Sequence, residues 1–184
     1  MKEYCEWTCA KNAQVHFYKN KVVSRLKVIF LDVDGVLNSE VSREQEREKF
    51  DNWMECEVSE MHINNLKKIV EATGAQIVLS SSWRFDHPKA TGRDFIADPL
   101  MKVLDRKLKA VGLDIIDVTP DLRGKIRGVE IQDWLDKHSE VERFVILDDD
   151  TDMTEAQKPF FVNTTFKNGL TEELTEKAIK ILNK

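Results

Sequence analysis

Lys27-Val28-Ile29-Phe30-Leu31-Asp32-Val33-Asp34-Gly35-Val36-Leu37-Asn38 is the stretch that decides the reading of this chain. A mostly apolar run, Lys27 to Leu31, ends in two carboxylates one residue apart, and Gly35 lets the backbone turn away at once. An apolar run closed by a turn signal reads as a parallel strand covered on both faces, and ligands of open α/β sheets gather at the carboxyl ends of such strands. Asp32 and Asp34 fall at that end. Carboxylates this close repel, so both stay ionised near neutral pH only beside positive charge, which a hard divalent cation such as Mg2+ supplies. Asp-x-Asp-Gly also occurs in calcium loops, but those need further oxygen ligands at alternate positions and a glutamate at the twelfth, a series that Val36 and Asn38 do not begin. The plain alternative is a solvated turn, since Asp and Gly are ordinary turn residues.

Working outward, the alternation continues. Ser39 to Glu57 is charged, with Phe50, Trp53 and Met54 toward its end, and reads as a solvated helix face placed where a flap over the site would sit. Trp53 either contacts substrate from such a flap or packs in the core, and the core is favoured because tryptophan is usually buried. Met61, Ile63, Leu66, Ile69 and Val70 recur at helical spacing, with Ser59 to cap the helix and Gly74 to end it. Gln76-Ile77-Val78-Leu79 is a second strand with a polar exit, Ser80-Ser81-Ser82-Trp83-Arg84. A helix is expected from Leu100 to Val111 and a third strand from Ile115 to Val118. The basic turn Arg123-Gly124-Lys125-Ile126-Arg127-Gly128 then leads into a helix carrying Val129, Ile131, Trp134 and Leu135. The fourth strand, Phe144-Val145-Ile146-Leu147, repeats the pattern of the first by running into Asp148-Asp149-Asp150. Phe160-Phe161-Val162 is a weaker strand, and a closing amphipathic helix spans Thr171 to Leu182. Strands alternating with helices imply right-handed crossovers and an α/β fold with a parallel sheet of about five strands, so all strand exits share one edge.

Composition sets the remaining bounds. A chain of 184 residues with 41% hydrophobic and 33% charged residues fits one soluble globular domain. We expect residues 1–26 to form an N-terminal extension packed on the body, with Val15 to Val23 as a hairpin, and residues 27–184 to form the catalytic domain with a short flap at 39–57. No apolar run approaches the roughly eighteen residues that cross a bilayer, and Met1 to Ala10 lacks the apolar core of a secretory signal, so the expected location is cytoplasmic. Cys5, Cys9 and Cys56 are an odd set that fits reduced thiols, and Cys5-x-x-x-Cys9 with His16 lacks the paired spacings of a zinc site. A net charge of −5 argues against a broadly basic nucleic-acid surface and leaves only a local groove.

The polar exits assemble a recognisable chemistry. Asp32, Asp148 and Asp149 offer oxygen ligands for Mg2+. Lys125 or Arg127, at a helix start, supplies positive charge beside backbone donors that favour an anion. A hydroxyl from Ser80, Ser81 or Ser82 can hold a phosphate oxygen; Ser81 is favoured because Ser80 stays in the strand and Ser82 enters the turn. Asp32 is then free to attack phosphorus, giving an aspartyl-phosphate, while Asp34 protonates the leaving oxygen and later deprotonates water.

Asp32-Val33-Asp34-Gly35-Val36, a serine after the second strand, a Lys or Arg before a helix, and Leu147-Asp148-Asp149 resemble the four motifs of the haloacid dehalogenase (HAD) superfamily. Within it, Leu79-Ser80-Ser81-Ser82-Trp83-Arg84, Arg127-Gly128-Val129-Glu130-Ile131 with Trp134-Leu135, and Gly169-Leu170-Thr171 resemble the HAD domain of Swiss Army Knife RNA repair proteins. The resemblance implies a Rossmann-like sheet, Mg2+, and phosphomonoester hydrolysis at polynucleotide ends. It also implies that Asp34 ligates the metal through its backbone carbonyl. Lys125 is the commoner residue type for the phosphate cation, whereas Arg127 matches the spacing of this branch. Asp148 pairs either with Asp149 or with Asp152, and Arg84 with Trp83 either shapes the substrate pocket or is structural. With only 39–57 and a modest insertion at 85–99, the cap is small or absent, and an open site admits a large phosphorylated partner such as a nucleic-acid end. A receiver-like phosphoaspartate signalling module shares the sheet, hydroxyl and cation, but a long-lived phosphoaspartate would avoid the proton-transfer group at Asp34. An inactive binding domain is the remaining reading, and no key position suggests decay.

Overall fold

The structure, a computed structural model, describes residues 25–184. The readings of Cys5, Cys9, His16 and the 15–23 hairpin fall outside the described residues, as does nearly all of the expected extension.

The opening stretch forms β1 (Leu26–Leu31), whose last four residues are fully buried. It is the centre of a five-stranded parallel sheet with β2 (Gln76–Leu79), β3 (Ile115–Val118), β4 (Val141–Asp148) and β5 (Phe161–Asn163), in the order β3-β2-β1-β4-β5. The order reverses between β2 and β4, so the exit of β1 lies at the crevice where such sheets hold ligands. β4 starts earlier than its apolar run, because Val141 and Arg143 still pair with Leu26 and Lys27.

Successive side chains of β1 point to opposite faces, and both faces are covered. Ile29 and Leu31 join Ile77, Leu79, Val145 and Leu147 beneath α3 (Glu60–Thr73), α5 (Pro99–Ala110) and α7 (Glu172–Leu182). Val28 and Phe30 face Ile131 and Trp134 of α6 (Arg127–Asp136), where the Phe30 ring meets the Trp134 edge with centroids 5.4 Å apart. Each such buried side chain contributes roughly 1.5–3 kcal/mol. No helix among the described residues is long and apolar enough to cross a membrane.

The segment after β1 is not simply a solvated face. It contains α1 (Glu40–Glu46) and α2 (Trp53–Cys56), and α1 buries Ser42 and Glu46. Glu46 accepts hydrogen bonds from Ser59 Oγ (2.7 Å) and the Glu60 N–H (3.1 Å), so its charge is spent capping α3. Lys107 of α5 donates to the carbonyls of Glu55 and Val58, both at 2.7 Å, tying α2 down on the body. Trp53, expected inside, is 64% exposed, because the single turn of α2 turns Met54 and Cys56 inward instead. A short α4 (Pro88–Thr91) follows the 3-10 turn Ser82–Asp86.

Candidate active site

Asp32 is the first residue past β1, and its N–H donates to the Leu147 carbonyl at 2.9 Å, fixing it between β1 and β4. Burial pushes its carboxyl up to about 6, against the pull of the Arg127 guanidinium and of a hydrogen bond from Ser81. Asp148 ends β4 with 1% of its surface exposed. Its Oδ1 accepts the Asp150 N–H at 2.9 Å, while Oδ2 is buried without a hydrogen-bond donor. Burial, and then the charge of Asp32, push this carboxyl up to about 8. Burial raises Asp149 as well, helped by Asp150.

Asp32, Asp148 and Asp149 each offer an oxygen within 4.8 Å of the others. Three converging carboxylates, two of which hold protons strongly and one of which has an unsatisfied buried oxygen, fit a hard divalent cation that takes oxygen ligands. Asp150 and Asp152 are not in this set. Gly35 adjoins it with φ +66°, and a Cβ there would stand 2.3 Å from Asp149 Cγ. Glycine is therefore required twice over, by the turn and by the approach of the Asp149 carboxylate.

Asp34 turns its carboxylate away from that trio. Its Oδ2 accepts the Trp83 Nε1–H and its Oδ1 accepts the Asn38 Nδ2–H, both at 2.9 Å. It is half-buried.

The cationic candidates separate clearly. Arg127 is the first residue of α6, and its Nη1 lies 3.2 Å from Asp32 Oδ1 and 3.8 Å from Asp148 Oδ2. The helix begins two residues earlier than its apolar pattern indicates, because Asp152 Oδ2 accepts the Arg127 N–H at 2.9 Å and satisfies an end that Ile126 cannot cap. Lys125 is exposed and forms no ion pair among the described residues, although it lines the same cleft of about 280 Å³ as Arg127.

The serines also separate. Ser80 continues the ladder, donating its N–H to the Leu31 carbonyl at 2.7 Å, with its hydroxyl turned to Thr119. Ser81 is fully buried and reaches Asp32, while Ser82 is exposed on the turn. Arg84 lies beneath them. It donates to the Ser81 carbonyl at 2.9 Å and pairs with Glu130 at 2.7 Å, both side chains being almost wholly buried. Glu130 also accepts the Leu122 N–H at 3.0 Å, so this pair clasps the serine turn to the basic turn. Arg84 thus meets protein groups rather than facing open solvent.

Sequence reasoning did not anticipate Trp83 and Asn38 on Asp34, Glu130 on Arg84, or Asp152 on α6. Glu130 carried a faint signal, as a charged residue between Val129 and Ile131; nothing in the sequence links Trp83 or Asn38 to Asp34. Larger clefts of about 760 Å³ and 510 Å³ lie elsewhere and contain none of the clustered carboxylates. The acidic cluster stands out by its chemistry rather than by cavity size.

Residues 28–175 match the family model described as the HAD domain in Swiss Army Knife RNA repair proteins. No curated protein and no solved structure matches the chain. With the match running from within β1 into α7 and so spanning the whole sheet and every residue of the acidic cluster, the chain belongs to the family of HAD domains in Swiss Army Knife RNA repair proteins.

Proposed function

We propose that this chain is a magnesium-dependent phosphomonoesterase that works through an aspartyl-phosphate and acts on phosphorylated polynucleotide ends. The family supports a phosphatase-type hydrolase with a link to RNA repair. The observation that carries the finer reading is one carboxylate, Asp32, lying between a guanidinium at 3.2 Å and two further carboxylates.

In this reading an Asp32 oxygen attacks phosphorus, and the bond to the leaving alcohol oxygen breaks as that oxygen takes a proton from Asp34. Arg127 and the Ser81 hydroxyl hold the phosphoryl oxygens, with the N-terminus of α6 adding backbone donors. Water then attacks the phosphorus of the acyl phosphate, gives its proton to Asp34, and frees Asp32 with inorganic phosphate. Asp32, Asp148 and Asp149, with the Asp34 backbone carbonyl of the family pattern, would hold the magnesium. When bound, the ion offsets charge on the transferring group. The clasp of Arg84 with Glu130 keeps Ser81 and Arg127 at a fixed separation. A polymer end is favoured as the substrate because, among the described residues, the segment 39–57 that follows β1 is tied to α5 and does not form a separate cap domain.

A phosphatase screen with Mg2+ tests this, using 5′- and 3′-phosphorylated oligonucleotides, nucleotides, sugar phosphates and an aryl phosphate. The expected result is metal-dependent phosphate release that is fastest on an oligonucleotide end. Release from none of them contradicts the enzyme reading, and a clear preference for a small sugar phosphate contradicts the polymer one.

A further inference from the structure

Trp83 lies on the same turn as Ser81, and that turn reaches two carboxylates at once. Ser81 contacts Asp32, and the Trp83 indole N–H contacts Asp34 Oδ2 at 2.9 Å across 49 residues of sequence. The other Asp34 oxygen is held by Asn38, whose side-chain oxygen accepts the Gly35 N–H at 2.9 Å and whose amide also donates to the Glu57 carbonyl at 3.2 Å. Asn38 is fully buried, and the Trp83 ring packs against the core. A carboxyl group gripped at both oxygens by donors from two anchored segments cannot turn about its Cβ–Cγ bond without losing both bonds. Each oxygen retains a second lone-pair direction for a proton or a substrate atom.

We propose that Trp83, assisted by Asn38, is a positioning residue that aims the Asp34 carboxyl at the leaving-group oxygen. The inference rests on the proposed role of Asp34 as the proton donor. It assigns Trp83 a task separate from packing: the indole N–H sets the direction in which the Asp34 proton is delivered. Misplacing a reacting group by about 1 Å can cost a hundredfold in rate, so in the first half-reaction the loss should appear only where protonation of the leaving group matters.

The test uses the magnesium-supplemented full chain and two substrates. Glycerol 3-phosphate has an alkoxide leaving group that departs only with a proton; p-nitrophenyl phosphate releases a stabilised phenolate that needs none. Trp83→Phe keeps the ring packing and removes the N–H. It should lower kcat/KM, which reports the half-reaction up to departure of the leaving group and not the water attack common to both esters, by roughly ten- to a hundredfold on the alkyl ester and leave it within about threefold on the aryl ester. Trp83→His, which restores a ring N–H, should recover part of the alkyl-ester rate, and it serves as the second variant if the phenylalanine form folds poorly. Equal losses of kcat/KM on both substrates would mean a merely structural tryptophan and overturn the proposal, as would an unchanged kcat/KM on the alkyl ester. Asp34→Asn separates the two levels of the argument. If it lowers kcat/KM equally on both esters, the proton-donor reading of Asp34 fails and the positioning role falls with it. If Asp34→Asn is selective for the alkyl ester and Trp83→Phe is not, only the positioning role fails.

Discussion

Magnesium binding to Asp32, Asp148 and Asp149 should release about one proton per ion at pH 7, because the metal must displace whatever protons the three carboxylates hold. With Asp148 pushed up to about 8, roughly nine-tenths of that group is protonated at pH 7, and with Asp32 pushed up to about 6, roughly a tenth. At pH 9 the release should fall to about a tenth of a proton, since Asp148 is then mostly ionised. The apparent affinity should therefore tighten close to tenfold per pH unit between pH 6.5 and 7.5 and level off above pH 8. Titration calorimetry in buffers of different ionisation enthalpy measures the proton count directly. Binding with no proton release near pH 7, or with a pH-independent affinity, would refute the description of Asp32 and Asp148 as buried beside one another. The same shifts fix a sign for stability. Both folded-state values lie above the ordinary carboxylate value of 3.8, so the metal-free folded chain binds protons more tightly than the unfolded one. The contribution of these two groups to stability must then fall as pH rises from about 4 to about 8, and saturating Mg2+ should flatten that slope.

Three further outcomes follow from the geometry. Arg127→Ala should reduce kcat/KM on an aryl phosphate by about a hundredfold or more, the range for losing one charge-stabilising donor, whereas Lys125→Ala should stay within about threefold; the reverse ranking would exchange their roles. Gly35→Ala forces a side chain into a backbone conformation with φ +66° and against Asp149. It should cost roughly 1–3 kcal/mol in urea unfolding and weaken Mg2+ binding, and a variant that binds the metal normally would contradict the packing described. Glu130→Ala leaves the buried Arg84 guanidinium without its partner and should destabilise the fold by roughly 3–5 kcal/mol in the same assay. A loss below about 1 kcal/mol would mean that the pair is not buried as described.

The parallel sheet was legible because its signals are local. β1 and β4 are apolar runs that end in carboxylates, and the helices between strands repeat at helical spacing. A parallel sheet places all such endings on one rim, so the neighbourhood of Asp32 and Asp148 follows from topology alone. Other features were not legible, most of them because they depend on what a distant segment presents. The charged stretch Ser42 to Lys49 reads as solvated, yet Glu46 turns inward to cap a helix that starts fourteen residues later. Trp53 reads as core, yet α2 is too short to bury more than one side. Residue type and spacing left Lys125 and Arg127 equivalent, and the distinction came from Asp152, which draws the start of α6 back to Arg127 and so brings its guanidinium to Asp32. The interactions of Trp83 with Asp34 and of Glu130 with Arg84 span 49 and 46 residues and have no periodic signature.

The central claim is that Asp32 attacks phosphorus, and the most direct measurement is phosphate release from p-nitrophenyl phosphate with saturating Mg2+ by the wild type and by Asp32→Asn. The substitution preserves shape and removes the attacking charge. Turnover by the wild type and none above background by the variant is the expected result. A variant that retains more than about a tenth of the wild-type rate would remove Asp32 from the reaction, and the aspartyl-phosphate with it.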